Sequence, residues 1–121
     1  MAYNAQNAIV QESLPAGLLV QAVIVAVNDG QVKDFLSDEV QKKWVNPDQT
    51  AIEVVAECDH HGTKYRDTRI FPYNNDADGN VLYGERSNIG KFAKYYKKLP
   101  EVGDQIQMKT NADGYFKMVI D

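Results

Sequence analysis

The sequence predicts a mainly β domain in which five strands close into a small barrel, with one helix between the third and fourth. Three observations predict it. Short segments rich in β-branched residues alternate apolar and polar side chains at period two. Clusters of Asn, Asp, Gly and Pro separate those segments. One later stretch, Ser87 to Leu99, instead repeats its apolar residues at helical spacing. An isolated sheet of this size must hide its edges, and closing five antiparallel strands with a helix plugging one end does so.

Taken in order, residues 1–16 are polar and end at Leu14-Pro15-Ala16-Gly17, which reads as a flexible arm closing in a turn; residues 17–121 form the single domain. Gly17 to Val27, rich in Val and Ile, is too short and too β-branched for a helix and reads as a buried strand that Asn28-Asp29-Gly30 stops. Residues 31–50 make a long connection, with a short helix near Asp34 to Lys43, where Phe35, Leu36 and Val40 have helical spacing, ended by Asn46-Pro47-Asp48. Thr50 to Cys58 is the second strand, Ile52, Val54 and Ala56 sharing one face. After the turn His60-His61-Gly62, the third strand runs from Thr63 to Phe71, with Tyr65, Asp67, Arg69 and Phe71 on one face and Lys64, Arg66, Thr68 and Ile70 on the other. Both faces mix charge with apolar groups, which is unusual for a strand that only packs.

Pro72 to Glu85 is a loop rich in Asn, Asp and Gly, and Ser87 is placed to cap the helix that follows. Ile89, Phe92, Ala93, Tyr96 and Leu99 form its apolar stripe; Lys91, Lys94, Tyr95, Lys97 and Lys98 lie outside it, and Pro100 stops continuation. The helix is read first as the barrel's plug. Gln105 to Thr110 and Tyr115 to Ile120 then alternate about the turn Asn111-Ala112-Asp113-Gly114, with Ile106, Met108, Phe116, Met118 and Ile120 inward: a closing hairpin.

The bulk properties bound the function. At 121 residues, one core can bury about two thirds of the unfolded surface. Its 44% hydrophobic and 25% charged content excludes a disordered or fibrous chain. The single cysteine, Cys58, excludes an internal disulfide and suits a reducing compartment. The N-terminus has no basic start or long apolar stretch, and the run Ala22 to Val27 is too short to cross a bilayer, so a cytoplasmic protein without membrane contact is expected. Net charge is −4, but residues 1–60 carry 3 basic and 9 acidic side chains whereas residues 61–121 carry 10 and 8. An anionic partner would therefore dock on the second half.

Four stretches carry a resemblance: Leu14-Pro15-Ala16-Gly17, Lys43-Trp44-Val45-Asn46-Pro47-Asp48, Ser87-Asn88-Ile89-Gly90-Lys91-Phe92 and Val102-Gly103-Asp104. With the order of elements, they resemble OB-fold single-stranded nucleic-acid-binding proteins of archaea and phages, over most of residues 14–121. That resemblance implies a ligand platform on the second and third strands. The residues there combine what such a groove needs, cations for phosphates and aromatic faces for bases. Lys64, Arg66 and Arg69 supply the first; Tyr65, Phe71, Trp44, Tyr73 and Tyr83 supply the second. Against this stands the reading of Tyr65 and Phe71 as core residues. Bacterial single-stranded DNA-binding proteins carry a long tail with an acidic tip; here the sequence ends inside its last predicted strand, and recruitment of partners by such a tail is not expected.

Two sharper patterns remain. Residues 74–85 follow the calcium-loop spacing, with Asn74, Asp76, Asp78, Gly79 and Glu85 at positions one, three, five, six and twelve. No helix precedes them and Asn replaces the usual Asp at position one, so an ordinary turn is expected and no metal. Cys58-Asp59-His60-His61 cannot place four ligands on one ion, and as a Cys–His pair lacks the geometry of a nucleophile and its base. The sequence has no phosphate loop, GxSxG elbow, HExxH or dinucleotide fingerprint, so no catalysis and no cofactor are expected. The expected function is single-stranded nucleic-acid binding, DNA ahead of RNA, with low sequence specificity. The alternative is a protein-interaction or scaffold module whose acidic first half, with Trp44 and Phe35-Leu36, meets a protein partner; a homo-oligomer is left open.

Overall fold

In the computed structural model, which describes residues 14–36 and 46–120, all five predicted long strands form one antiparallel sheet. The strands are β1 (Leu19–Gln31), β2 (Thr50–His60), β3 (Thr63–Pro72), β6 (Gln105–Thr110) and β7 (Phe116–Met118), in the spatial order β3-β2-β1-β6-β7. Between β1 and β2 lies the single turn α1 (Val32–Phe35); between β3 and β6 lie a small hairpin, β4 (Asn74–Asn75) with β5 (Val81–Leu82), and the helix α2 (Asn88–Tyr96). The chain is mainly β, and β7 comes round to β3, leaving the sheet nearly closed. No helix among the described residues is long and apolar enough to cross a membrane.

Three expectations about element limits are corrected. β1 continues through Asn28-Asp29-Gly30 because β2 pairs with it there: Asn28 lies opposite Glu53 and its amide donates to that carboxylate at 3.0 Å. Cross-strand pairing overrides the turn preference of those residues. A bulge at Val25, between the pairs Ile24–Ala56 and Ala26–Val55, lets the long strand bend between its two partners. A single helical turn occupies Val32–Phe35 and ends at extended Leu36, so no helix runs unbroken from Asp34; the rest of the helix expected near Asp34 to Lys43 falls on residues outside the described part. α2 ends at Tyr96, three residues before Leu99, because Lys97 takes the left-handed conformation (φ 64°). The loop 72–85 contains the β4–β5 hairpin.

The interior follows the period-two pattern. Ile52, Val54, Ala56 and Cys58 of β2, Ile106 and Met108 of β6, and Phe116, Met118 and Ile120 are buried together with Ile89 and Phe92 of α2. The helix plugs the barrel as predicted from its stripe. Phe92 stacks at 6.0 Å from Phe71 and 4.6 Å from Tyr96, and the Tyr96 hydroxyl, donating to the Val119 carbonyl and accepting from the Gln107 amide, ties its last turn to β6 and to the chain after β7. Ser87 caps the helix, its Oγ accepting from the Gly90 amide at 3.1 Å and donating to the Gly84 carbonyl at 2.7 Å. Gly90 is required there: a Cβ would clash with the Gly84 carbonyl oxygen and lie 3.0 Å from Glu85.

The seam between β3 and β7 is held by a buried carboxylate. Asp67, 6% exposed, accepts the Met118 amide at 2.8 Å, and Arg69 and Lys117 each approach it at 3.5 Å. It satisfies a backbone donor that would otherwise face the open side of the sheet.

Candidate functional site

The predicted platform on β2 and β3 does not assemble as one groove. Strand alternation divides its residues between two faces, Tyr65, Arg69 and Phe71 on the side of buried Asp67, Lys64 and Arg66 on the outside. Phe71 is fully buried, in contact with Phe92, and the expectation that it stacks a base is overturned: no base can reach it. Tyr65 is half-buried with its ring 4.9 Å from Phe116. Tyr73 packs against the core too, and burial raises its phenol pKa. Trp44 lies outside the described residues.

The cations of that platform are committed. Arg66 Nε lies 2.7 Å and Lys64 Nζ 3.6 Å from Glu57, whose carboxyl they hold below the usual carboxylate range; Arg69 serves Asp67. The arrangement follows from the hairpin. His61 (φ 52°) and Gly62 (φ 82°) make a two-residue turn with both φ positive, Asp59 accepting the Gly62 amide at 3.0 Å, and this turn puts Glu57 directly opposite Arg66. A depression of about 580 Å³ where β1 leaves β2, lined by Gln21, Glu57, Cys58, Asp59, Lys64 and Gln105, is thus acidic on balance.

Three cations without an ion pair among the described residues collect elsewhere. Arg86, Lys94 and Lys97, with Lys91, line a groove of about 540 Å³ along the outer face of α2. Its floor includes Tyr95, 43% exposed, and Ile120. The Tyr95 ring is held by its hydroxyl, which donates to Gln107 at 2.9 Å, and by an edge contact with Tyr96 at 4.7 Å. A second hollow, about 360 Å³, adjoins through the shared Glu85 and Lys94 and brings in Tyr83, 44% exposed. Tyr83 is thus the one exposed aromatic of the predicted set among the described residues. Lys98 does not join them: Asp104 at 2.7 Å and Glu101 at 3.7 Å hold it and raise its pKa.

The helical spacing of Lys91, Lys94, Tyr95 and Lys97 was legible in the sequence; that the strand cations would be neutralised was legible only by carrying the two-residue turn through to its cross-strand pairs. The calcium-loop residues form a hairpin instead. Asn74 pairs with Leu82, and Asp76 accepts the Asp78 and Asn80 amides, both at 2.9 Å, and the Asn80 side chain at 3.0 Å, which lowers its pKa; Glu85 lines the α2 hollows. No group of three or more His, Cys, Asp or Glu side chains among the described residues is placed to hold a metal. Cys58 faces the core, where burial raises its thiol pKa, and His60 packs edge-on to His61 and Phe116. No protein family, curated protein or solved structure matches this chain.

Proposed function

We propose that the protein binds single-stranded nucleic acid with little sequence preference, and that the strand lies along α2, not across β2 and β3. The observation that carries this is the groove in which Arg86, Lys94 and Lys97, unpaired among the described residues, surround an exposed tyrosine ring on a chain of net charge −4. Phosphates along such a groove release counterions, and bases stack on Tyr95 and Tyr83 without readout of their edges. The strand order and the helix between the third and fourth long strands support reading the barrel as OB type, and a lone buried thiol supports a reducing, cytoplasmic location.

The test is fluorescence anisotropy with labelled oligo-dT and oligo-rU. About three phosphate contacts predict a slope of log affinity against log salt near −2, from about 0.7 per contact on a single strand. Lys94→Gln with Lys97→Gln should weaken binding and flatten the slope, and Tyr95→Ala should lower affinity with the slope unchanged. Absence of binding to either oligomer at low ionic strength refutes the function. Binding that survives the lysine changes but is lost with Lys64→Gln and Arg66→Gln returns the surface to β2 and β3.

A further inference from the structure

Lys109 of β6 and Lys117 of β7 stand directly opposite each other in the hairpin register, both on the outer face. Like charges so placed oppose pairing of the strands. Arg69 lines the same hollow, of about 260 Å³, so three cations meet there. Among the described residues one carboxylate answers them: Asp67, with Arg69 Nε and Lys117 Nζ each at 3.5 Å, also accepts the Met118 amide, and Lys109 has no ion pair there. Among the described residues the hollow, shared by β3 and the hairpin, thus keeps a surplus of two positive charges. Buried Ile120 lines both this hollow and the α2 groove, so the two basic hollows are neighbours.

We infer that the Lys109–Lys117 hairpin is a second phosphate-binding position continuous with the α2 groove, so that one nucleic-acid strand runs from Arg86 and Lys94 across Ile120 to Lys109 and Lys117. The inference rests on the α2 reading and extends its footprint. Its chemistry is that of a polyanion track: the phosphates of a long strand offset the repulsion between the two lysines, while a strand too short to span both hollows occupies the α2 groove alone. Bases are not stacked at this second position, because the hollow offers cations, Thr110 and Asn111 but no aromatic face.

The experiment compares the unaltered protein, Lys109→Gln/Lys117→Gln and Lys94→Gln/Lys97→Gln against labelled oligo-dT of about 6 and about 16 nucleotides, within the range that one such domain covers. The Lys109→Gln/Lys117→Gln change should weaken the longer strand about five- to tenfold and reduce its salt slope by about 1.4, two contacts at about 0.7 each. It should leave the shorter strand within about twofold, and without ligand the melting temperature should stay nearly level, relief of the like-charge pair offsetting loss of the Lys117 contact with Asp67. A long-strand affinity and slope equal to the unaltered protein's overturn the inference. If Lys94→Gln/Lys97→Gln abolishes binding in that case, only the extension has failed; if neither pair of changes alters binding, the α2 reading fails as well.

Discussion

Asp67 closes the barrel, and its removal should open the seam by a calculable amount. In Asp67→Ala the Met118 amide loses its acceptor inside a region where Met118 is 3% exposed, a loss of about 1–3 kcal/mol for an unpaired buried donor. Arg69 and Lys117 lose a partner at 3.5 Å; both are partly solvated, so together they add about 0.2–1 kcal/mol. The expected destabilisation is about 1–4 kcal/mol, which at an unfolding entropy near 2.1 cal/mol/K per residue lowers the melting temperature by roughly 5–16 °C. Asp67→Asn keeps an acceptor for the amide and loses the charge, so it should cost about 1 kcal/mol or less. Urea denaturation followed by circular dichroism measures both, and hydrogen exchange at the Met118 amide locates the effect. Two variants within about 0.5 kcal/mol of the parent, or a Met118 amide whose protection does not change, would refute the assignment of Asp67 as the seam's closure.

Gly90→Ala should destabilise by about 1–3 kcal/mol in thermal melts, because the clash of its Cβ with the Gly84 carbonyl outweighs the gain of about 1 kcal/mol in helix propensity. Lys97→Gly should raise stability by about 0.5–1 kcal/mol by relieving its left-handed φ of 64°, while weakening oligonucleotide binding, so that the two readouts move in opposite directions. Stability should fall at both ends of a pH titration followed by thermal melts. Glu57 and Asp76 have lowered pKa values, so what they contribute is present above about pH 4 and is lost as pH falls through their folded values. Cys58, Tyr73 and Tyr96 are held protonated by burial, so the folded state loses ground as rising pH ionises the unfolded thiol and phenols from about pH 8.5 to about 10.

Where the pattern along the chain is itself the cause of structure, it was readable. The alternation of Ile106, Met108, Phe116, Met118 and Ile120 put each of them inside, and Ser87 caps α2 as its position implies. The failures are of another kind. Asn28-Asp29-Gly30 has the composition of a turn, yet the opposite strand extends to Thr50 and gives those residues partners. Phe71 shares an apolar and charged face with Arg69 and Asp67, and no local signal distinguishes a ring that will meet Phe92 from one that will meet a ligand. Burial of that kind is decided by an element some twenty residues away.

Strand register decides which cations the protein leaves available. A cation contributes to a binding groove only to the extent that its own protein leaves it unanswered, and in an antiparallel hairpin the answer is fixed by register. The two-residue turn at His61-Gly62 places Arg66 opposite Glu57 and Lys64 opposite Asp59, so the most basic-looking strand is electrostatically quiet. The turn at Asn111–Gly114 does the reverse, setting Lys109 opposite Lys117. Lys94 near the end of α2 and Lys97 just past it have no acidic residue between Asn88 and Lys98 to answer them, and both lie beside Tyr95 in one groove. Positive charge in this acidic protein therefore survives where like meets like, and those places, the outer face of α2 and the β6–β7 hairpin, adjoin at Ile120.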